Sequence, residues 1–204
     1  KRSSALVAAV HDQKICQPLI HTSRWMLFAD LDLRPFYTAV ADHRVLSDVV
    51  SALHGLKPIR PASLFEMMVT AVTEQQISMI AAHRIRRRLI RRFAEPIGAH
   101  PPFPLPKHLA AARLSTLKQT GLSKRKAYAI RQLARKILDH TFDPSCLQTL
   151  SDAEVRDAVT NLEGFGRWSA DYLLIRGLGR TDVAPAGDLG VRTVTGYPGS
   201  PATG

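Results

Sequence analysis

Beyond the first thirty residues, apolar positions recur every three or four residues while the alternation of a half-buried strand is scarce, which predicts a mostly α protein. Arg34 to Val40 and Val45 to Leu53 read as short helices, followed by the polar link GLKPIRPAS. Ser63 stands three residues before Glu66, the spacing of a capping box, and Met67, Met68, Ala71 and Val72 follow, so a helix is expected from about Leu64. After TEQQIS a second stripe runs through Ile80, Ile85, Leu89, Ile90 and Phe93. It ends before EPIGAHPPFPLP, whose five prolines forbid continued helix and predict a loop.

GLSKRKAYAIRQLARKIL combines a Gly turn, a Ser cap and an amphipathic helix with Ala127, Ile130, Ala134 and Ile137 on one stripe. Leu150 to Val159 reads as another helix, capped by Ser151 or Asp152, and leads into LEGFGRWSAD. Behind Gly164-Phe165-Gly166, the residues Trp168, Tyr172 and Ile175 recur at helical spacing until Gly177 and Gly179, where the helix is expected to stop. A last element starts near Asp188, and the tail GYPGSPATG has no apolar periodicity.

Composition narrows the partners. The chain has 204 residues, 45% of them hydrophobic, enough for a buried core. Its 28 Lys and Arg against 17 Asp and Glu give a net charge of +11, a field that suits a polyanion and equally a well-solvated basic surface. No apolar run reaches the ~18 residues of a membrane span, so no membrane partner is expected and an intracellular protein is the default. Cys16 and Cys146 stand alone, which excludes a self-contained four-cysteine cluster or zinc ribbon, and the eight histidines lack metal-ligand spacing.

Two stretches carry candidate chemistry, each with a plain alternative. The Gly-x-Gly turn at Gly164 and Gly166 opens onto a helix N-terminus and so offers unpaired N–H groups to a phosphate, with Arg167 adjacent; it also suits a simple helix corner. Helix, Gly-rich hairpin and helix together form a helix-hairpin-helix element, which grips a sugar–phosphate backbone without reading sequence. Asp188 is either an N-cap or a carboxylate facing positive charge on a substrate, as develops on a sugar when its base departs. The basic run HRIRRRLIRRF is read as solvated surface with a general attraction for DNA.

LEGFGRWSADYLLIRGLGRTDVAPAGDLGVR resembles the hairpin-to-aspartate segment of the helix-hairpin-helix DNA glycosylases, in particular their DNA-3-methyladenine glycosylase II branch. FADLDLRPFY, PASLFEMMVTAVTEQQIS and GLSKRKAYAIRQLA resemble that branch in the same order. The resemblance implies a mostly α fold of two helical subdomains flanking a cleft, with residues 29–204 as the glycosylase domain, incomplete at its C-terminus, and 1–28 as a remnant of a preceding domain. It makes Asp188 catalytic, has Gly164, Phe165, Gly166 and Arg167 contact DNA, and sets Gln76, beside Gln75, to fill the gap left by an extruded nucleotide.

Trp168 occupies the position where family members that also cut the backbone carry a lysine, which implies a monofunctional enzyme leaving an abasic site. Trp168 and Tyr172 match pocket-lining aromatics, suited to an electron-poor alkylated purine, although their spacing equally describes core packing. The carbonyls of Thr160, Leu162 and Phe165 fall where the family holds a structural Na+ or K+, and no other cofactor is implied. The expected partner is double-stranded DNA with a damaged base, bound by a monomer. A non-catalytic duplex-binding module and a glycosylase for oxidised or deaminated bases remain as rival readings.

Overall fold

The computed structural model describes residues 13–43, 46–95 and 101–195, and among these every regular element is helical. Contacts divide the chain into two compact units, Lys1–Ala62 and Ser63–Gly204, with the division at the end of the Pro-containing link. The boundary expected at residues 28 and 29 lies inside the first unit.

The first unit holds α1 (Cys16–Met26), α2 (Arg34–Val40) and α3 (Leu46–Ala52). Sequence periodicity did not signal α1. Pro18 sits in its first turn, where a missing N–H costs nothing, and none of its side chains is fully buried, so the apolar stripe is weak. The end of α1 is tied down by the Arg60 N–H, which donates to Met26 O at 2.8 Å, and by the Trp25 indole, which donates to Pro61 O at 3.0 Å. The Arg60 guanidinium lies between the rings of Trp25 and Phe28, 4.5 and 3.5 Å from their centroids.

The second unit is organised around α4 (Leu64–Glu74), which is apolar over most of its surface and accordingly largely buried: Met67, Met68, Val69, Ala71 and Val72 are at most 1% exposed. Ser63 caps it, its hydroxyl accepting from Glu66 N at 3.1 Å. Next come α5 (Met79–Phe93), α6 (Pro106–Ala111), α7 (Leu114–Gln119), α8 (Lys124–Leu138), α9 (Asp152–Thr160), α10 (Arg167–Leu173) and α11 (Leu189–Thr195). α4 packs on α5, α8 and α10, while α8 also carries α6 and α7. α6 opens at the last proline of the expected loop, whose residues 96–100 lie outside the described residues. Its missing N–H falls among the first-turn donors that no helix satisfies internally. The tail GYPGSPATG likewise lies outside them.

Serine caps at Ser123 and Ser151 start α8 and α9 where expected; Ser151 rather than Asp152 caps α9, in a reciprocal box with Glu154. On α8 the buried stripe is Ala127, Ile130, Leu133 and Ala134, and Ile137 is only half-buried. Gly177 does not stop the helix behind the hairpin. The chain continues as a π turn over Leu174–Leu178 and ends at Gly179 in the left-handed region, φ +72°. At Gly177 a Cβ would come 2.7 Å from Leu173 Cδ1 and 3.1 Å from Met67 Cγ, so this glycine lets the π turn press onto α4.

Candidate active site

Within the second unit, the α4–α5 turn, the start of α8, the Gly-Phe-Gly hairpin and the start of α11 surround an open cleft of about 940 Å³. Gln76, Ser78, Lys126, Gly166, Trp168 and Asp188 all line it, and the lining as a whole runs from Glu74 to Gly190, 116 residues apart.

Asp188 is half-buried at the entrance to α11. Its Oδ1 accepts from Gly190 N at 2.8 Å and Val191 N at 3.1 Å, which is an N-cap, while its Oδ2 accepts from the Trp168 indole N–H at 2.9 Å. The N-cap is therefore real, and it uses one carboxylate oxygen while the other is bonded to Trp168, which lines the cleft together with Asp188. The indole bond, foremost, and the two backbone N–H groups hold the carboxyl below its ordinary value, against the opposing effect of burial. A carboxylate so held is ionised at neutral pH.

Trp168 stacks on Tyr172 with ring centroids 5.0 Å apart and planes at 19°. Tyr172 is not among the residues that line the cleft; it backs Trp168, and its hydroxyl bonds the carboxylate of Glu74. Burial first, and then Glu74, push that hydroxyl up to about 12, so it stays protonated as a donor. Glu74 is in turn paired with Arg86 of α5. A chain from the half-buried Arg86 through the buried Glu74 to the half-buried Tyr172 thus braces the indole against Asp188, and its members are too far apart in sequence for any local pattern to reveal it.

The two hairpin glycines serve different ends. Gly164 has φ +84°, and a Cβ there would lie 2.4 Å from Ala129 Cβ on α8, so it is required by the fold. Gly166 has φ −120°, which any residue adopts, and nothing lies within 4 Å of where its Cβ would be. Its bare, exposed backbone at the start of α10 leaves the amides open to an incoming group. Phe165 is buried, and Arg167 points outward, its side chain 71% exposed.

Behind the hairpin, Asp171 accepts from Arg156 Nε at 2.7 Å and from Arg167 Nε at 3.3 Å and is only 5% exposed, which joins α9 to α10.

Gln75 and Gln76 part company. Gln75 turns inward, its Nε2 donating to Gly164 O and to Ser169 Oγ, both at 2.9 Å, and so latches the α4–α5 turn to the hairpin. Gln76 is exposed with φ +55°, a left-handed conformation that a non-glycine residue holds only when its surroundings impose it. Part of that imposition comes from Lys126, whose Nζ donates to Gln75 O at 2.6 Å and Thr73 O at 3.1 Å, a cation on the last carbonyls of α4. Lys126 was not a sequence candidate; the pairing spans some fifty residues and leaves no local trace.

At the hairpin, Leu162 O accepts from Phe165 N at 3.1 Å and keeps a second lone pair, and Thr160 ends α9. Neutral carbonyls at a helix C-terminus form a donor set that fits a monovalent cation better than a zinc or iron ion.

A bare-backbone hairpin between two helices, set beside a cleft that holds an ionised carboxylate, defines a helix-hairpin-helix protein. The family profile of the HhH-GPD superfamily of base excision DNA repair proteins matches residues 69–200, and the chain belongs to that superfamily. Curated relatives include DNA-3-methyladenine glycosylase 1 of Schizosaccharomyces pombe, 30% identical over 63% of this chain and 54% of its own length. DNA-3-methyladenine glycosylase 2 of Escherichia coli is 31% identical over 65% of this chain and 48% of its own. The chain spans about half the length of these relatives.

Among solved structures, the 3-methyladenine DNA glycosylase of Archaeoglobus fulgidus superposes with a TM-score of 0.80 at 24% identity, covering 95% of this chain and 67% of that one, and so shares the fold. The Schizosaccharomyces pombe 3-methyladenine DNA glycosylase in complex with abasic DNA gives 0.62 at 27% identity, covering 76% and 77%.

Proposed function

We propose that the protein hydrolyses the N-glycosidic bond of alkylated purines in duplex DNA and leaves an abasic site. The observation that carries this reading is the Asp188 carboxylate, held ionised by Trp168 in a cleft beside the open amides of Gly166. The relatives named above as 3-methyladenine glycosylases, one of them bound to abasic DNA, support it.

The hairpin amides and Arg167 hold phosphates of the damaged strand, and Gln76, already projecting in its left-handed turn, fills the space from which the nucleotide has swung out. The base then enters the cleft against the exposed part of the Trp168 indole, whose electron-rich face attracts the cationic ring of a 3- or 7-alkylpurine. As the bond lengthens, the sugar acquires oxocarbenium character and Asp188 stabilises it; the bond electrons leave with the base, and water adds to the anomeric carbon and gives its proton to solvent, which yields the abasic sugar. At an effective dielectric near 20, a carboxylate about 4 Å from a unit positive charge contributes on the order of 4 kcal/mol, or roughly a thousandfold in rate. An alkylated purine leaves as a neutral base, so no general acid is needed.

Trp168 offers no amine for a Schiff base, which makes the enzyme monofunctional. A Na+ or K+ held by the carbonyls of Thr160, Leu162 and Phe165 would add positive potential where phosphate approaches. Incubation with methylated duplex DNA tests the reading. It predicts free alkylpurine and strand breaks that appear only after alkali; breaks without alkali contradict monofunctionality, and duplex binding with no base release supports the non-catalytic module instead.

A further inference from the structure

Residues 79–120 contain nine Lys and Arg and a single acid, Glu95, so about a fifth of the chain carries +8 of its net +11. Six of the arginines lie on α5, and the fold sorts them. Ala82, Ile85 and Leu89 form the buried stripe, and Arg86 turns to Glu74. Arg84, Arg87, Arg88 and Arg91, spaced at three and four residues, share the exposed face. Glu95 does not neutralise that face, because it is engaged by Lys107 at 3.0 Å and His108 at 2.9 Å. Like charges at this spacing destabilise their own helix unless an anion sits among them.

One end of the face is shaped. Arg88, Arg91 and Arg92 of α5, with Thr116, Gln119 and Thr120 from α7 and the turn after it, line a recess of about 270 Å³, room for a phosphate group. The turn closing this recess passes through Gly121, φ +103°, where a Cβ would lie 3.2 Å from Arg88 Nη1 and 3.1 Å from Ile85 Cγ1. Glycine there lets the turn approach α5 closely enough for Arg88 to reach toward Thr120 O at 3.5 Å, which aims its guanidinium into the recess. Guanidinium groups match phosphate oxygens in a planar fork, and Thr116 and Gln119 add neutral donors, whereas the buried Thr120 hydroxyl donates to Leu117 O at 2.7 Å.

The geometry points to a second phosphate-binding surface: the arginine face of α5, ending in the α5–α7 recess, seats the backbone of the DNA duplex along the helix that leads away from the Gln76 turn. α5 begins immediately after Ser78 of the cleft, and Arg91 follows Ser78 by thirteen residues. At 1.5 Å per residue that is ~20 Å, or roughly six nucleotides of a strand advancing ~3.4 Å each. The inference rests on the DNA reading above and not on catalysis.

The test measures affinity of the wild-type chain and of R88Q/R91Q/R92Q for a long undamaged duplex across a salt series. Each phosphate contact contributes about 0.9 to the slope of log K against log salt, so the triple variant is expected to lose about 2 to 3 from that slope. A control removing equal charge elsewhere, R34Q/K57Q/K136Q, is expected to shift it far less. If the triple variant is unfolded in a melting scan, R91Q/R92Q replaces it, with an expected loss of about 2.

An unchanged slope overturns the proposal, and so does an equal loss in the control, which would reduce the effect to net charge. A loss seen with RNA and absent with duplex DNA also overturns it. Because undamaged DNA is used, a chain without glycosylase activity still passes this test, whereas a wild-type chain that binds no duplex refutes both readings.

Discussion

Gly164 and Gly166 stand one residue apart and are predicted to fail in opposite ways. In Gly164→Ala the new methyl meets Ala129 Cβ at 2.4 Å on a backbone with φ +84°. The left-handed conformation costs an L-residue about 1–2 kcal/mol and the overpacking about 1–3, for a total near 3 kcal/mol. For a chain of this size each kcal/mol lowers the melting temperature by roughly 2–4 °C, so a fall of about 6–12 °C is expected. Ala129→Gly in the same molecule removes the clash and leaves the backbone strain plus about 1 kcal/mol for glycine within a helix.

Gly166→Ser places its side chain in open space on an extended backbone and at an N-cap, where serine is favoured. Its melting temperature should be unchanged or slightly raised. Its affinity for duplex containing an abasic site should nevertheless fall, because the hydroxymethyl group stands where phosphate approaches the amides. Thermal melting and fluorescence anisotropy on both variants check the pair. If Gly164→Ala melts with wild type, or Gly166→Ser binds like wild type, the division between a structural and a functional glycine is wrong.

Further outcomes follow from contacts at the cleft and behind the hairpin. Trp168→Phe removes the indole N–H from Asp188 and keeps a ring on Tyr172. The folded pKa of Asp188 is depressed, so its stabilising effect exists above the ordinary value of 3.8 and is lost as pH falls through the folded value. The substitution lets that value rise, and the acid limb of a base-release pH profile should move to higher pH.

Gln75→Leu leaves Gly164 O and Ser169 Oγ without their donor and should cost about 1–2 kcal/mol in denaturant unfolding. Gln76→Gly relieves a positive φ, should stabilise by about 1 kcal/mol, and should slow base release from duplex much more than from single strands. Arg156→Met strands most of the buried Asp171 charge and should cost roughly 3 kcal/mol, whereas Arg167→Gln, at an exposed partner, should stay below about 1 kcal/mol while weakening DNA binding.

The features legible in the sequence are those set by neighbouring residues. Serine caps at 63, 123 and 151 start their helices, and the hairpin and Asp188 are brought to one cleft by elements whose order along the chain was apparent. What stayed hidden depends on contacts across the fold. α1 has no strong apolar stripe, and α6 begins within a run of prolines that reads as a helix stop but also suits a first turn. Gly177 looked like a terminator and is a packing glycine, a distinction decided by Met67 on another helix. The bond from Lys126 to the end of α4, the inward turn of Gln75 and the brace behind Trp168 all join residues dozens of positions apart.

The central claim, that the carboxylate of Asp188 acts on the reacting sugar, is tested most directly by single-turnover release of 7-methylguanine or 3-methyladenine by Asp188→Asn. Asparagine keeps an oxygen to cap α11, so the melting temperature should hold within a few degrees. The account predicts that the release rate falls by roughly a thousandfold while binding to abasic duplex remains. A variant that releases the base as fast as wild type contradicts it.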